Sequence, residues 1–500
     1  MKEQLPVLIV IVPLIMSFIT YILGIFWKRC VYPITFLTSG FCLFFNAQLL
    51  KTLLFSEKRI TYYLGGWEPP WGIEYVVDYL NAPILTGISL VFFLLVILTK
   101  GIVEKEIREE KRNVFYSLLL LQFTGLQGVT VTGDMFNLYV LLEILSFSAY
   151  GIVGIGKAGS EFFAFRYMIF GTLGACSYLL GVGYLYILTG SLNMADLSNI
   201  LPDLKHSTAL FSGAMFLVLG VLIKMAFFPL HVWLPDAYSK APSSVSVFLA
   251  ALSTKALAYV LIRIVFTILG PTYSSRIIPV FDFLGYIAAF GVIFCGIMAI
   301  AQKEIVRSLC YILISEIGYI VLAISSWNAD GLKGGVLHII NDMFMMGSLF
   351  SVWAIVESRT DKRMSEEWTG LRETFPYTMG IFAMSALSVI GVPPLCGFFS
   401  KWYILLGLMN AKKWVFSATI IVSSLLNAIY FFKLIEKIYL RPKLDRSLHG
   451  SSNMKRIEVS IGPESFSLYV LSAFLVFLGL INNYIVENII SHSIPGLFTW

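Results

Sequence analysis

Apolar residues in this chain gather into long continuous runs instead of alternating with polar ones. The runs fall at approximately 5–26, 31–54, 80–99, 114–132, 134–156, 162–190, 208–228, 244–269, 278–300, 305–325, 333–356, 375–400, 413–440 and 466–490. Most have the roughly 18–25 residues with which a helix crosses a bilayer. Barrel strands would alternate over about ten residues, so continuous runs predict helices. The pattern predicts an all-α polytopic membrane protein of about 14 transmembrane helices. Two polar stretches stand apart. Residues 55–79 hold Gly-Gly, Pro-Pro and two tryptophans, which predicts an ordered hairpin at the membrane surface. Residues 191–207 are too polar to span and predict a short amphipathic helix.

Composition sharpens this picture. The 500 residues are 58% hydrophobic and 13% charged, against about 45–50% and about 25% in soluble domains. The net charge of +6 is distributed between the apolar runs, which gives no reason to expect a nucleic-acid partner. Lysines and arginines concentrate in the odd-numbered connections: Lys100–Arg112 in the third, Arg359–Arg372 in the eleventh, Arg441–Arg456 in the thirteenth. Those connections are expected in the cytoplasm and both termini outside it. Leu5–Phe26 is too long for a signal-peptide core and reads as the first span. Cys30, Cys42, Cys176, Cys295, Cys310 and Cys396 form no CxxC, so iron–sulfur and zinc sites are not expected. Gly151–Lys157 has phosphate-loop spacing, but Ala158 follows it and a membrane helix precedes it, which excludes ATP use. No cofactor, metal or catalytic site is expected in this chain.

Candidate chemistry comes from ionisable residues inside the runs. Such groups are expensive in hydrocarbon and mark ion pathways by default. Glu143 lies mid-run, nine residues after Asp134. Lys224 lies deep in the run that precedes FFPLHVWLP, and Lys255 lies in the next run. Burial favours a neutral amine and a carboxylate partner favours the ammonium, so a Glu–Lys contact can hold or release a proton. His338 and Asp342 are four apart and share a helix face. Glu316 is a further carboxylate at depth. Asp134, His231 and Asp236 are secondary candidates, the last two beside the proline interruption. Ser243, Ser244, Ser246, Ser253 and Thr254 suit a hydrated route or close helix packing about equally. Arg263 is expected to snorkel, and Lys433 with Glu436 to form a structural or snorkelling pair at a boundary. GVPPLCGFFS precedes Lys401, so Lys224 and Lys401 each adjoin a proline interruption, five spans apart. Broken helices at matching positions accompany inverted repeats in transporters.

These residues carry a resemblance. The blocks DMFNLYVLLEILSFSAYGI, FFPLHVWLPDAYSKAPSSVS, SEIGY and GVPPLCGFFSKW, with Lys255, resemble the antiporter-like proton-conducting subunits of Mrp Na+/H+ antiporters, complex I and membrane-bound hydrogenases. The Mrp D type looks most similar overall, while LPDAYSKAPSSVS is more like the hydrogenase and complex I versions. The resemblance implies two inverted five-helix repeats with broken helices seven and twelve. The expected division is 1–113, an N-terminal three-helix part; 114–269, the first repeat; 278–440, the second; and 441–500, a cytoplasmic loop with the last helix. It implies a central pair Glu143–Lys224, a link at Lys255, a histidine at His338 and a second site at Lys401. Asp342 stands where many members have a second histidine, Met346 where they have lysine, and Glu316 where glutamine or histidine is common. The step from Lys255 to Lys401 is therefore the open one. The expected function is proton translocation within a larger membrane complex, with other membrane subunits as partners and H+, with or without Na+, as cargo. The parent is either a Mrp antiporter or a hydrogenase-like, sulfur- or quinone-reducing respiratory complex. A standalone secondary transporter and a non-conducting scaffold are the alternatives.

Overall fold

A computed structural model describes residues 4–56, 59–156, 159–204, 207–277, 280–440 and 462–494. Helices α1 (Leu5–Phe26) and α2 (Val31–Ser56) lead into a hairpin of β1 (Ile60–Tyr63) and β2 (Glu74–Val77). The strands pair antiparallel, with Ile60 opposite Val77 and Tyr63 opposite Glu74. There follow α3 (Ala82–Glu106), α4 (Arg112–Val131), α5 (Met135–Gly154) and α6 (Ser160–Thr189). The expected surface helix is α7 (Met194–Ile200), capped by Asn193 and holding Leu197 inward. Then come α8 (Thr208–Lys224), α9 (Trp233–Lys240), α10 (Ser243–Phe248) and α11 (Thr254–Ile262). The second half holds α12 (Val280–Ala301), α13 (Ile305–Ile324), α14 (Ala329–Thr360), α15 (Pro376–Ile390), α16 (Cys396–Asn410), α17 (Trp414–Tyr439) and α18 (Pro463–Leu480). Among the described residues, twelve helices are long and apolar enough to cross a membrane. Two shorter apolar helices, α8 and α15, accompany them.

Burial sorts these helices into an interior and a perimeter. The most apolar windows of Ser243–Ile268 and of α14 are 100% buried, against 33% in α1. So α10, α11 and α14 form the central column. Perimeter helices turn large apolar side chains outward, as α12 does with Phe283, Tyr286, Phe290 and Ile297. Hydrocarbon solvates such a face as well as a protein core would. One π-helical turn, Leu249–Ser253, joins α10 to α11 in one span, and a second, Arg263–Ile268, continues that span beyond α11. Turns of this kind are frequent at functional sites, and the first lies directly before Lys255.

Two apolar runs end sooner than their hydropathy suggests. The run 208–228 stops being helical at Lys224, and the chain is irregular until Trp233. Pro229 has no N–H and disfavours helical backbone in the residue before it. The run 375–400 breaks after Ile390, where Gly391 adopts φ +96° ahead of Pro393 and Pro394. Lys401 consequently does not end a span. It lies just over one turn into α16, a half-helix that continues to Asn410. Arg263 also departs from expectation. It does not snorkel; it pairs with Asp78 and donates to the Tyr259 hydroxyl at 2.7 Å. Both chain ends, Lys157 with Ala158, and the Arg441–Arg456 stretch lie outside the described residues.

Helix α18 braces the second break through a glycine. A Cβ at Gly479 would lie 2.0 Å from the Pro394 carbonyl and 3.1 Å from the Cys396 nitrogen. Both neighbours are backbone and cannot swing aside. Gly479→Ala is expected to destabilise the chain by about 1–3 kcal/mol, the usual penalty of overpacking. Thermal unfolding of the purified assembly measures it, and an unchanged midpoint would refute the brace.

Candidate functional site

Three clusters of buried charge line the interior. The first joins α5 to the end of α8. Lys224 Nζ donates to Glu143 Oε1 and to Ser146 Oγ, each at 2.7 Å. Gly174 of α6 and Gly220 of α8 permit the approach that encloses the lysine: a Cβ at Gly174 would meet the Gly220 carbonyl at 3.0 Å and Lys224 Cγ at 3.1 Å. Lys224 is thereby buried, while Glu143 keeps 18% of its side chain exposed on the outer face. Behind Lys224 a small cavity is lined by Tyr150, Trp233, Ser253 and Thr254. It is about large enough for one water.

The second cluster lies at the centre. Lys255 faces Asp342 of α14 at 2.9 Å, with 1% and 0% of the side chains exposed. This is ion-pair contact without good hydrogen-bond alignment. Lys255 Nζ donates instead to the Ala250 carbonyl at 2.7 Å, within the π-helical turn.

The third cluster gathers α13, α14 and α16 around one carboxylate. Glu316 Oε1 accepts from Lys401 Nζ at 3.3 Å, and Oε2 lies 3.3 Å from His338 Nε2. His338 Nδ1 is 3.0 Å from Ser400 Oγ. Lys401 Nζ also donates to the Val389 carbonyl at 2.5 Å. That carbonyl belongs to the C-terminal end of α15, where the helix dipole favours a cation. The ammonium lies 4.6 Å from the Tyr319 ring centroid, a cation–π contact.

Helix α14 connects the second cluster to the third. Asp342 takes Lys255, and His338, one turn earlier, takes Glu316. All six leading candidates, together with Glu316, thus enter this series of pairs. The secondary candidates do not. Asp134 caps α5 by accepting from the Asn137 N–H at 2.7 Å. Burial holds its carboxyl above the usual carboxylate range, against the pull of that N–H. Asp236 is bridged by Arg166 at 2.6 Å and Arg307 at 2.9 Å, which ties α9 to α6 and α13. His231 stacks on Phe228 in the first break, ring centroids 5.3 Å apart. The serine-rich stretch divides. Ser243 and Ser244 donate to Glu106 at the start of α10, and Ser246 donates to the Tyr238 carbonyl. Only Ser253 and Thr254 of that stretch line the Lys224 cavity.

Residues 132–427 match the family model described as "NADH:quinone oxidoreductase/Mrp antiporter, TM". A relative named NADH-quinone oxidoreductase subunit N, from Desulforudis audaxviator, is 41% identical over 99% of both chains. The chain belongs to this NADH:quinone oxidoreductase/Mrp antiporter family. A Bacillus subtilis relative, the D-type subunit of a Na(+)/H(+) antiporter, is 31% identical over 83% of this chain and 84% of its own. A chain of the membrane-bound sulfane sulfur reductase, an archaeal respiratory membrane complex, superposes with a TM-score of 0.90 at 26% identity, covering 99% of this chain and 98% of its own. Identity to the oxidoreductase relative, 41%, exceeds the 31% to the antiporter relative, against the expectation that the Mrp D type is most similar overall.

Asp342 and Glu316 supply the two carboxylates that face Lys255, His338 and Lys401. Sequence reasoning missed the supporting shell on α17. Asn427 Nδ2 reaches Glu316 Oε1 at 3.5 Å, and the Ser423 and Tyr319 hydroxyls are 2.5 Å apart. Their signal was present: Ser423 and Asn427, one turn apart in a largely apolar run, share a face.

Proposed function

We propose that this chain is the proton-translocating, antiporter-like subunit of a redox-driven, multi-subunit membrane complex. The observation that carries the reading is the alternation of acid and base through the interior: Glu143–Lys224, Lys255–Asp342, then His338–Glu316–Lys401. An unpaired charge in this interior is strongly disfavoured. A proton that leaves one pair changes the charge felt by the next, so displacement passes along the series with water in the gaps. Glu143, partly exposed on the outer face, is the member able to sense a neighbouring protein of the complex.

The finer architecture belongs to the same proposal. Fourteen spans arise when α8 with α9, and α15 with α16, each count as one broken helix. Residues 114–269 and 278–440 are the inverted repeats, 1–113 the N-terminal part and 441–500 the C-terminal part. The basic connections lie in the cytoplasm and both termini outside it. The higher identity to a NADH-quinone oxidoreductase relative supports an oxidoreductase parent over an antiporter one.

Lys224→Ala is expected to abolish at least nine-tenths of proton pumping in inverted vesicles energised by the electron donor of the complex. Retention of the wild-type rate by Lys224→Ala and Glu143→Ala would reject the proposal. Acidification driven by an imposed Na+ gradient, without electron donor, would move the parent to the antiporter class.

A further inference from the structure

Beyond proton transfer, we infer that a cavity at the paired ends of α12 and α17 binds the phosphate group of an anionic phospholipid. The half-open cavity, of about 230 Å³, is lined by Lys303, Lys433, Lys437, Ser365, Glu366 and Tyr430, among others. Lys437 is buried and already satisfied: it donates to Glu366 at 2.5 Å and to Ser365 Oγ at 3.4 Å. Lys303 and Lys433 are exposed, and neither has a carboxylate at ion-pair distance among the described residues. The cavity therefore carries an excess of two positive charges.

Tyr430 lines the cavity but is only 7% exposed, and its hydroxyl is buried beside Ser308, closed off from the opening. A phosphate in the cavity would instead meet the two free ammonium groups of Lys303 and Lys433. The surroundings favour a lipid as the source of that phosphate. Phe432 adjoins Lys433 on α17, and Ile429 lies one turn before it. Ile297 lies less than two turns before Lys303 on the α12 side. These three apolar side chains are 47–54% exposed, so they offer a path for acyl chains running from the basic cavity toward the middle of the membrane. Basic pockets at helix ends recognise lipid headgroups in this manner, with roughly 1 kcal/mol per lysine. None of these residues belongs to the proton series, so the inference stands or falls separately from it.

The test uses the purified complex with this chain at full length, stripped of lipid and titrated with phosphatidylglycerol while bound lipid is counted by native mass spectrometry. Phosphatidylcholine and inorganic phosphate are the comparison ligands. The wild type is expected to retain one more phosphatidylglycerol than Lys303→Gln/Lys433→Gln, whose affinity at that site falls about thirtyfold. Tyr430→Phe, whose hydroxyl is closed off from the cavity, is expected to leave binding unchanged and serves as the control. Equal retention by wild type and the double lysine variant overturns the inference, as does equal retention of phosphatidylcholine. Displacement of the lipid by millimolar inorganic phosphate would also overturn the lipid as occupant. The protein composition of each variant complex, read in the same spectra, confirms that loss of lipid is not loss of assembly.

Discussion

Replacing Glu316 by alanine is expected to abolish proton translocation and to destabilise the chain by about 3–5 kcal/mol. Among the described residues, Glu316 is the carboxylate at ion-pair distance from Lys401, at 3.3 Å, and it lies equally far from His338. Its side chain is fully buried, so water cannot replace it. Removal leaves Lys401 with the Val389 carbonyl and the Tyr319 ring, and His338 with Ser400. Breaking a buried pair by removing one member is penalised because the other charge stays behind unpaired. Glu316→Gln keeps the volume and a hydrogen-bond acceptor and removes only the charge. It is expected to recover part of the stability and none of the pumping. Thermal unfolding of the complex measures the first effect, and dye-quench assays in inverted vesicles measure the second. Pumping at the wild-type rate in Glu316→Gln would remove this residue from the series.

The pair Lys255–Asp342 permits stability to be separated from function. Asp342→Leu alone is expected to destabilise by about 3–5 kcal/mol, since Lys255 is 1% exposed and cannot reach water. The double variant Lys255→Met/Asp342→Leu removes both charges and fills the same space. Apolar replacement of a buried ion pair is usually neutral, or stabilising by about 1–4 kcal/mol. The double variant is therefore expected to unfold at or above the wild-type temperature and yet to pump no protons. A merely structural pair would give the opposite outcome: the double variant would pump normally. The double replacement suits this central step because Asp342 and His338, one helical turn apart on α14, are the connection between the two halves.

Much of the fold was legible in the sequence because hydrocarbon imposes a strict rule. A span must satisfy its backbone internally and present apolar side chains, and both conditions leave long runs in the sequence. Leu5–Phe26 coincides with its helix, and most later runs match helices to within a few residues. Helix α3, though, continues to Glu106 past a run ending at 99, and α18 stops at Leu480 inside a run to 490. The breaks were also visible, since Pro229, Pro393 and Pro394 cannot continue a helix. The ends were less legible. The run to residue 400 hid the halt at Ile390 and the second half-helix after it, because hydropathy does not register a change of direction.

The sequence by itself determined that this is a polytopic helical membrane protein with costly charges at depth, and it named Glu143, Lys224, Lys255, Glu316, His338, Asp342 and Lys401. Each is conspicuous because an ionisable side chain among apolar neighbours is improbable without a partner. Only the tertiary structure decided the pairing. Lys255 and Asp342 are 87 positions apart in sequence, and Glu316 could in principle have faced either lysine. The packing of α11, α13, α14 and α16 gave Asp342 to Lys255 and Glu316 to Lys401. It also set Asp134 as the cap of α5 and Asp236 between Arg166 and Arg307. The physical reason is that burial is a property of one residue and shows in its local sequence. An ion pair is a relation between two helices, and it exists only once they are packed.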